Sequence, residues 1–153
     1  MPGIEDRLAE LGLQIPAAPK PVAAYIPTVR SGSLVFVSGQ LPFQDGQLMA
    51  TGRLDGEVSL EQAQACARQC VLNGLAALKG EIGSLDAVRR VVRVGCWVAC
   101  GQGFTDQPKV ANGASELLQE IFGEKGRHAR AAVGSIALPL GAPVEIEFLF
   151  EVE

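Results

Sequence analysis

VRRVVRVGCWVAC, residues 88–100, is the stretch whose reading decides the fold. Its density of valine suits a pleated strand, because a branched Cβ packs well there and is stiff in a helix. With strict alternation, one face carries Val88, Val92, Val94, Cys96 and Val98. The other carries Val91, Gly95, Trp97 and Ala99 among Arg89 and Arg93. Neither face is plainly polar, so both are expected to be covered.

A helical pattern lies on each side of this strand. Upstream, Ser59-Leu-Glu-Gln62 has the form of a capping box, in which serine and glutamine satisfy free backbone donors reciprocally. An apolar stripe then recurs at three- and four-residue spacing, through Leu60, Ala67, Cys70, Val71 and Leu75, to about residue 80. Downstream, a second helix runs from about Asp106, with Pro108 in its first turn, to a stop at Gly123. Val110, Ala114, Leu117, Leu118, Ile121 and Phe122 form its inner stripe, and Gly113 marks a close approach to the sheet.

Further out, Tyr25–Arg30 and Ser33–Ser38 read as strands joined at Ser31-Gly32, and Asp45-Gly46 turns the chain into a short third strand. Ala131–Leu138 and Val144–Val152 are two more, linked by Pro139-Leu-Gly-Ala-Pro143; simple hairpin pairing places Glu151 opposite Arg130. Residues 3–12 form a short amphipathic helix, and the proline-rich Gln14–Pro21 a rigid connector. The expectation is one α+β domain, with helix and linker over 1–22 and the main body over 23–153. A single sheet carries its two long helices on one face. The other face exposes Trp97, Val91 and Leu149, which argues for burial against another copy.

Composition narrows the function. The 153 residues are 48% hydrophobic with a net charge of -4, which suits one folded core and speaks against a general nucleic-acid surface. No apolar run reaches the roughly 18 residues of a membrane span. The acidic start MPGIEDRLAELGL is no secretory signal, so a cytoplasmic location is expected. Cys66, Cys70, Cys96 and Cys100 lack the CxxC spacing of a metal or redox site and read as buried, reduced thiols; a metal is set aside.

Arg130 is the leading site candidate. It enters a strand of small residues, Arg-Ala-Ala-Val-Gly, that leaves its guanidinium room to bind a carboxylate through two parallel charged hydrogen bonds. The plainer account is a solvated arginine at a strand end. Glu145, on the polar face of the last strand, can hold or activate a water; the plainer account is an edge glutamate paired with a cation. His128, the one histidine, stands in a basic loop and reads as solvated. Gly101-Gln-Gly103 is too short for a phosphate loop and reads as a turn. Arg89, Arg90, Arg93 and Arg127 form at most a local basic patch.

At VFVSGQLPF (35–43) and ARAAVGSIALPLGAPVEIE (129–147), the chain resembles the Rid family, the reactive intermediate deaminases also called YjgF or L-PSP. The likeness runs from about Tyr25 to the C-terminus, and the segment FTDQPKVANGASELL before GRHAR is similar to a divergent, longer branch. The resemblance implies a chorismate-mutase-like subunit in a homotrimer, with sites in clefts between subunits and no metal or cofactor. It matches Arg130 to the family's carboxylate-binding arginine and Glu145 to its water-positioning glutamate. Tyr25 falls at the family's aromatic near the first strand, and Ser38, Gly39 and Gln40 at the segment that shapes the cleft. The implied chemistry is hydrolysis of enamines and imines bearing a carboxylate, giving a 2-oxo acid and ammonia.

Two positions depart from that pattern. Ala132 stands where many members carry cysteine, and Ser115 stands at a helix position that is often aromatic. Both imply a differently shaped pocket. Beside the deaminase stand a non-catalytic trimer that binds 2-oxo acids and, more remotely, a ribonuclease or translation inhibitor, for which no pair of histidines is present.

Overall fold

In the computed structural model, residues 2–18 and 24–153 are described. The connector at 14–21 lies partly, and the expected boundary at 22–23 wholly, outside them. Helix α1 covers Ile4–Glu10, α2 Leu60–Ile82 and α3 Gln107–Phe122. Five strands, β1 (Thr28–Ser31), β2 (Leu34–Gln40), β5 (Val88–Ala99), β6 (Ala129–Ser135) and β7 (Val144–Val152), form one mixed sheet in the order β1-β2-β7-β5-β6. A separate ribbon pairs β3 (Phe43–Gln44) with β4 (Gln47–Leu48). Its turn has positive φ at both Asp45 and Gly46, as a two-residue hairpin requires. This is an α+β fold, and no described helix is long and apolar enough to cross a membrane.

The sheet corrects the expected hairpin between the last two strands. β6 runs parallel to β5, and β7 lies antiparallel on its other side, so β5 separates them. The link between them straddles the end of β5. The Ala99 amide donates to the Pro143 carbonyl and the Cys100 amide to that of Ser135. A parallel pair needs a crossover, and α3 is that crossover. Arg130 is therefore paired with Val94, not Glu151.

Strict alternation also fails within β5. The register against β7 shifts between Val88 and Arg90 and again between Val91 and Arg93. Each irregularity exchanges the two faces. Val91 is thus fully buried beneath the helices beside Val88 and Val94, while Val92 is only half-buried. The core lies between this face and the helices, with Phe148, Phe150 and Ile146 of β7 packed with Leu75, Leu78, Leu117 and Leu118.

Glycines set the close approaches. A Cβ on Gly74 of α2 would enter the Phe148 ring, so that helix rests on the sheet there. Gly113 is different from its expectation: its missing Cβ faces the backbone of Gln64 in α2, bringing helix to helix. The capping box at Ser59 forms as read, with Ser59 and Gln62 bonded both ways. At the N-terminus, α1 buries Leu8 and is tied down by Arg7 Nε donating to the Glu120 carbonyl at 2.8 Å.

Candidate functional site

Arg130 lies in edge strand β6, one row with Val94 of β5, Phe148 of β7 and Val37 of β2. That row belongs to the helix-covered face, so the side chain projects along the flank of α3. There both protons of Nη1 are engaged. One goes to Asn112 Oδ1 at 2.9 Å and one to Ser115 Oγ at 3.0 Å. Asn112 and Ser115 are three residues apart and share one side of α3. Among the described residues, the Nε and Nη2 protons have no protein acceptor. They form the edge of the guanidinium that takes a carboxylate through two parallel bonds.

His128 is not the solvated loop residue expected. It is half-buried, with Nδ1 2.6 Å from the Gly126 carbonyl and Nε2 2.9 Å from Ser115 Oγ. Burial pushes the imidazole below its usual range, the Gly126 bond opposes that, and the Arg130 charge adds to it. Ala132 packs partly against the core on the same face as Arg130, paired with Cys96. Burial pushes the Cys96 thiol up to about 12 despite the pull of Arg130. All four cysteines are buried and free.

Glu145 belongs to the other face. It is paired with Trp97, three residues along β5 from Val94 and hence of opposite parity. Burial first, and the Glu147 carboxylate second, push its pKa above the ordinary value. Glu147 itself engages Arg93 at 3.2 Å. Gly39 presses on Glu145: a Cβ there would collide with the carboxylate, so only glycine leaves that space. Ser38 Oγ donates to the Ile26 carbonyl at 2.8 Å, and Gln40 Nε2 donates to the Ser38 carbonyl at 2.9 Å. The first of these bonds holds β2 beside the segment that carries Tyr25. Tyr25 is 61% exposed and lies in a bend before β1, not in a strand.

The candidate residues therefore fall into two groups. Arg130 and Ala132 stand with Asn112, Ser115 and His128 on the helix side. Glu145 stands with Gly39, near Ser38, Gln40 and the approach to Tyr25, on the open side. Within one subunit Arg130 and Glu145 do not meet. Sequence reasoning missed Asn112, Ser115 and His128 as partners of Arg130. The resemblance places Ser115 at a position that shapes the pocket, but its tie to Arg130, like that of Asn112 three residues before it, means little until α3 is known to flank β6.

The model of the YjgF/chorismate mutase-like family matches residues 5–152, nearly the whole chain. The chain belongs to that family. Among relatives of this YjgF-family chain, Protein TCP17 of Trypanosoma cruzi is 44% identical over 97% of this chain and 93% of its own. A 2-iminobutanoate/2-iminopropanoate deaminase of Dermatophagoides farinae is 28% identical over 92% and 95%. Among solved structures, the protein Atu1372 of Agrobacterium tumefaciens, of unknown function, superposes with a TM-score of 0.90. It is 43% identical, with 97% of this chain and 91% of that one covered.

Proposed function

We propose that this YjgF-family chain is a hydrolytic deaminase of small enamines or imines that bear a carboxylate, releasing a 2-oxo acid and ammonia. The observation that carries the reading is the guanidinium of Arg130, anchored through Nη1 with its Nε/Nη2 edge left to a ligand. The likeness to a 2-iminobutanoate/2-iminopropanoate deaminase supports the substrate class. Because Arg130 and Glu145 leave opposite faces of the sheet, the working site is a cleft between copies in a homotrimer. One copy supplies Arg130, its neighbour Glu145. Ser38, Gly39, Gln40 and Tyr25 line the neighbour's side, and Ala132 the first copy's.

The chemistry needs little beyond placement. Arg130 holds the carboxylate, and Glu145 orients a water whose oxygen adds to the imine carbon. The water proton passes to Glu145. Glu145 returns that proton to the nitrogen, giving the carbinolamine. The hydroxyl then passes its own proton, again through Glu145, to the nitrogen as the C–N bond breaks, so ammonia leaves and the C=O of the ketone forms. A carboxylate whose pKa is raised toward neutrality takes and returns a proton more evenly than an ordinary one. Fixing both partners converts a bimolecular addition into an effectively unimolecular step. Four buried free thiols fit a reducing compartment, which supports action in the cytoplasm. A nucleic-acid role is disfavoured because Arg93 and Arg127 of the basic patch already face Glu147 and Glu124.

The test is release of 2-oxo acid and ammonia from freshly generated 2-aminoacrylate or 2-iminobutanoate. The wild type should exceed the spontaneous rate, and Arg130→Ala should abolish the excess. A 2-oxo acid that raises the melting temperature through Arg130 without any turnover would instead favour the non-catalytic binding protein.

A further inference from the structure

We propose that Ser115 and His128 are positioning residues for Arg130: the imidazole takes the serine proton and thereby fixes the serine oxygen as the acceptor that orients the guanidinium. This inference rests on Arg130 being the carboxylate-binding group.

The assignment of every proton follows from one backbone carbonyl. The Gly126 oxygen can only accept, so at 2.6 Å the His128 Nδ1 must carry a proton. In the neutral ring Nε2 is then bare and can only accept. The proton in its 2.9 Å contact is the one on Ser115 Oγ. With that proton committed, the serine oxygen turns its lone pairs to Arg130 Nη1, 3.0 Å away. A serine on a helix otherwise tends to donate to its own backbone one turn back. Removing the imidazole frees the hydroxyl to do so and loosens the guanidinium. Ser115 is 7% exposed, too enclosed to touch a substrate, which is why its action runs through Arg130.

Burial first, and the Arg130 charge with it, favour the neutral ring against the pull of the Gly126 bond. Arg130 bonds the same serine from β6, Arg127 adjoins the ring in the loop, and Arg90 of β5 lines a shallow depression with His128. Glu124 is the acid of the preceding turn, and it engages Arg127 at 3.7 Å rather than the ring.

Two measurements separate this role from simple support of the fold. The first needs no variant: the ¹⁵N shifts of His128 in the folded wild type at neutral pH should show a protonated Nδ1 and a bare Nε2. A proton on Nε2 overturns the inference whatever the activity. The second is titration with 2-oxobutanoate together with steady-state rates on 2-iminobutanoate. Ser115→Ala should weaken 2-oxobutanoate binding and raise KM about tenfold, with a much smaller change in kcat, as expected for one charged hydrogen bond lost to the grip. Ser115→Thr, which keeps the hydroxyl, should restore both. If Ser115→Ala binds like the wild type while Arg130→Ala does not bind, the positioning role is wrong and the carboxylate site stands. If the wild type itself does not bind 2-oxobutanoate, both ideas fall together.

Discussion

Burial and Glu147 hold the Glu145 pKa up, which suits the proposed base, and the same environment makes the residue a liability to the fold. A raised folded-state pKa stabilises the protein below the ordinary carboxylate range, and that contribution is lost as pH rises through the raised value. Glu145→Gln, which does not titrate, should therefore melt higher than the wild type at pH 7, with the gap closing toward pH 4. Its deaminase activity should be lost, while the wild-type pH profile should show an acid limb set above the usual carboxylate range. Gly39→Ala tests the same carboxylate from outside. The added methyl meets the flexible end of Glu145, so stability should change by less than about 1 kcal/mol. Activity should nevertheless drop by about a hundredfold, because a carboxylate moved by an ångström no longer aims its water. A melt and a rate on one variant settle that contrast. Arg130 and Glu145 stand out in the sequence chiefly through the family resemblance, since each residue by itself reads more plainly as a solvated charge. Their surroundings do not: the imidazole of His128 is enclosed by a helix 13 residues upstream in the chain, through Ser115, and nothing local announces that.

Elements whose signals are local came through, and those set by partners did not. Ser59 and Gln62 lie within one helical turn, so the α2 start could be read from four letters. Ser59→Ala should cost about 1 kcal/mol in a denaturant melt, with activity intact. The face exchange at Val91 is the opposite case. It arises from how β5 registers with β7, more than fifty residues downstream, and the valine run supports either parity equally well. Gly113 was read correctly as a close approach but given the wrong neighbour, because α3 presents several faces and only packing decides which one meets α2. Gly113→Ala would place a methyl against the Gln64 backbone, which cannot swing away as a side chain can. The two long helices must part, and a loss of about 1–3 kcal/mol is expected by the same melt.

At the scale of the molecule, the hairpin misreading and the two-group site have one origin. The link from β6 to β7 looks like a turn, yet it passes over the end of β5, so sequence proximity says nothing about which faces the two strands show. The open face of the sheet carries an apolar row, Val29 of β1, Phe36 of β2 and Leu149 of β7, paired in register, with Val29 and Phe36 about half-exposed. Such a row invites a second copy. A site shared between copies makes a demand that a site within one chain cannot meet. Arg130→Ala and Glu145→Gln should each be inactive alone. When equal amounts are unfolded together and reassembled, an intact cleft needs Arg130 from a Glu145→Gln chain and Glu145 from an Arg130→Ala neighbour. Random mixing in a ring of identical head-to-tail contacts gives that pairing in roughly a quarter of the clefts. Recovery of deaminase activity near that fraction, absent from either variant reassembled by itself, is the expected result. No recovery, from mixtures that co-migrate as one oligomer, would mean that the two groups do not share a cleft, and Glu145 would lose its role beside Arg130.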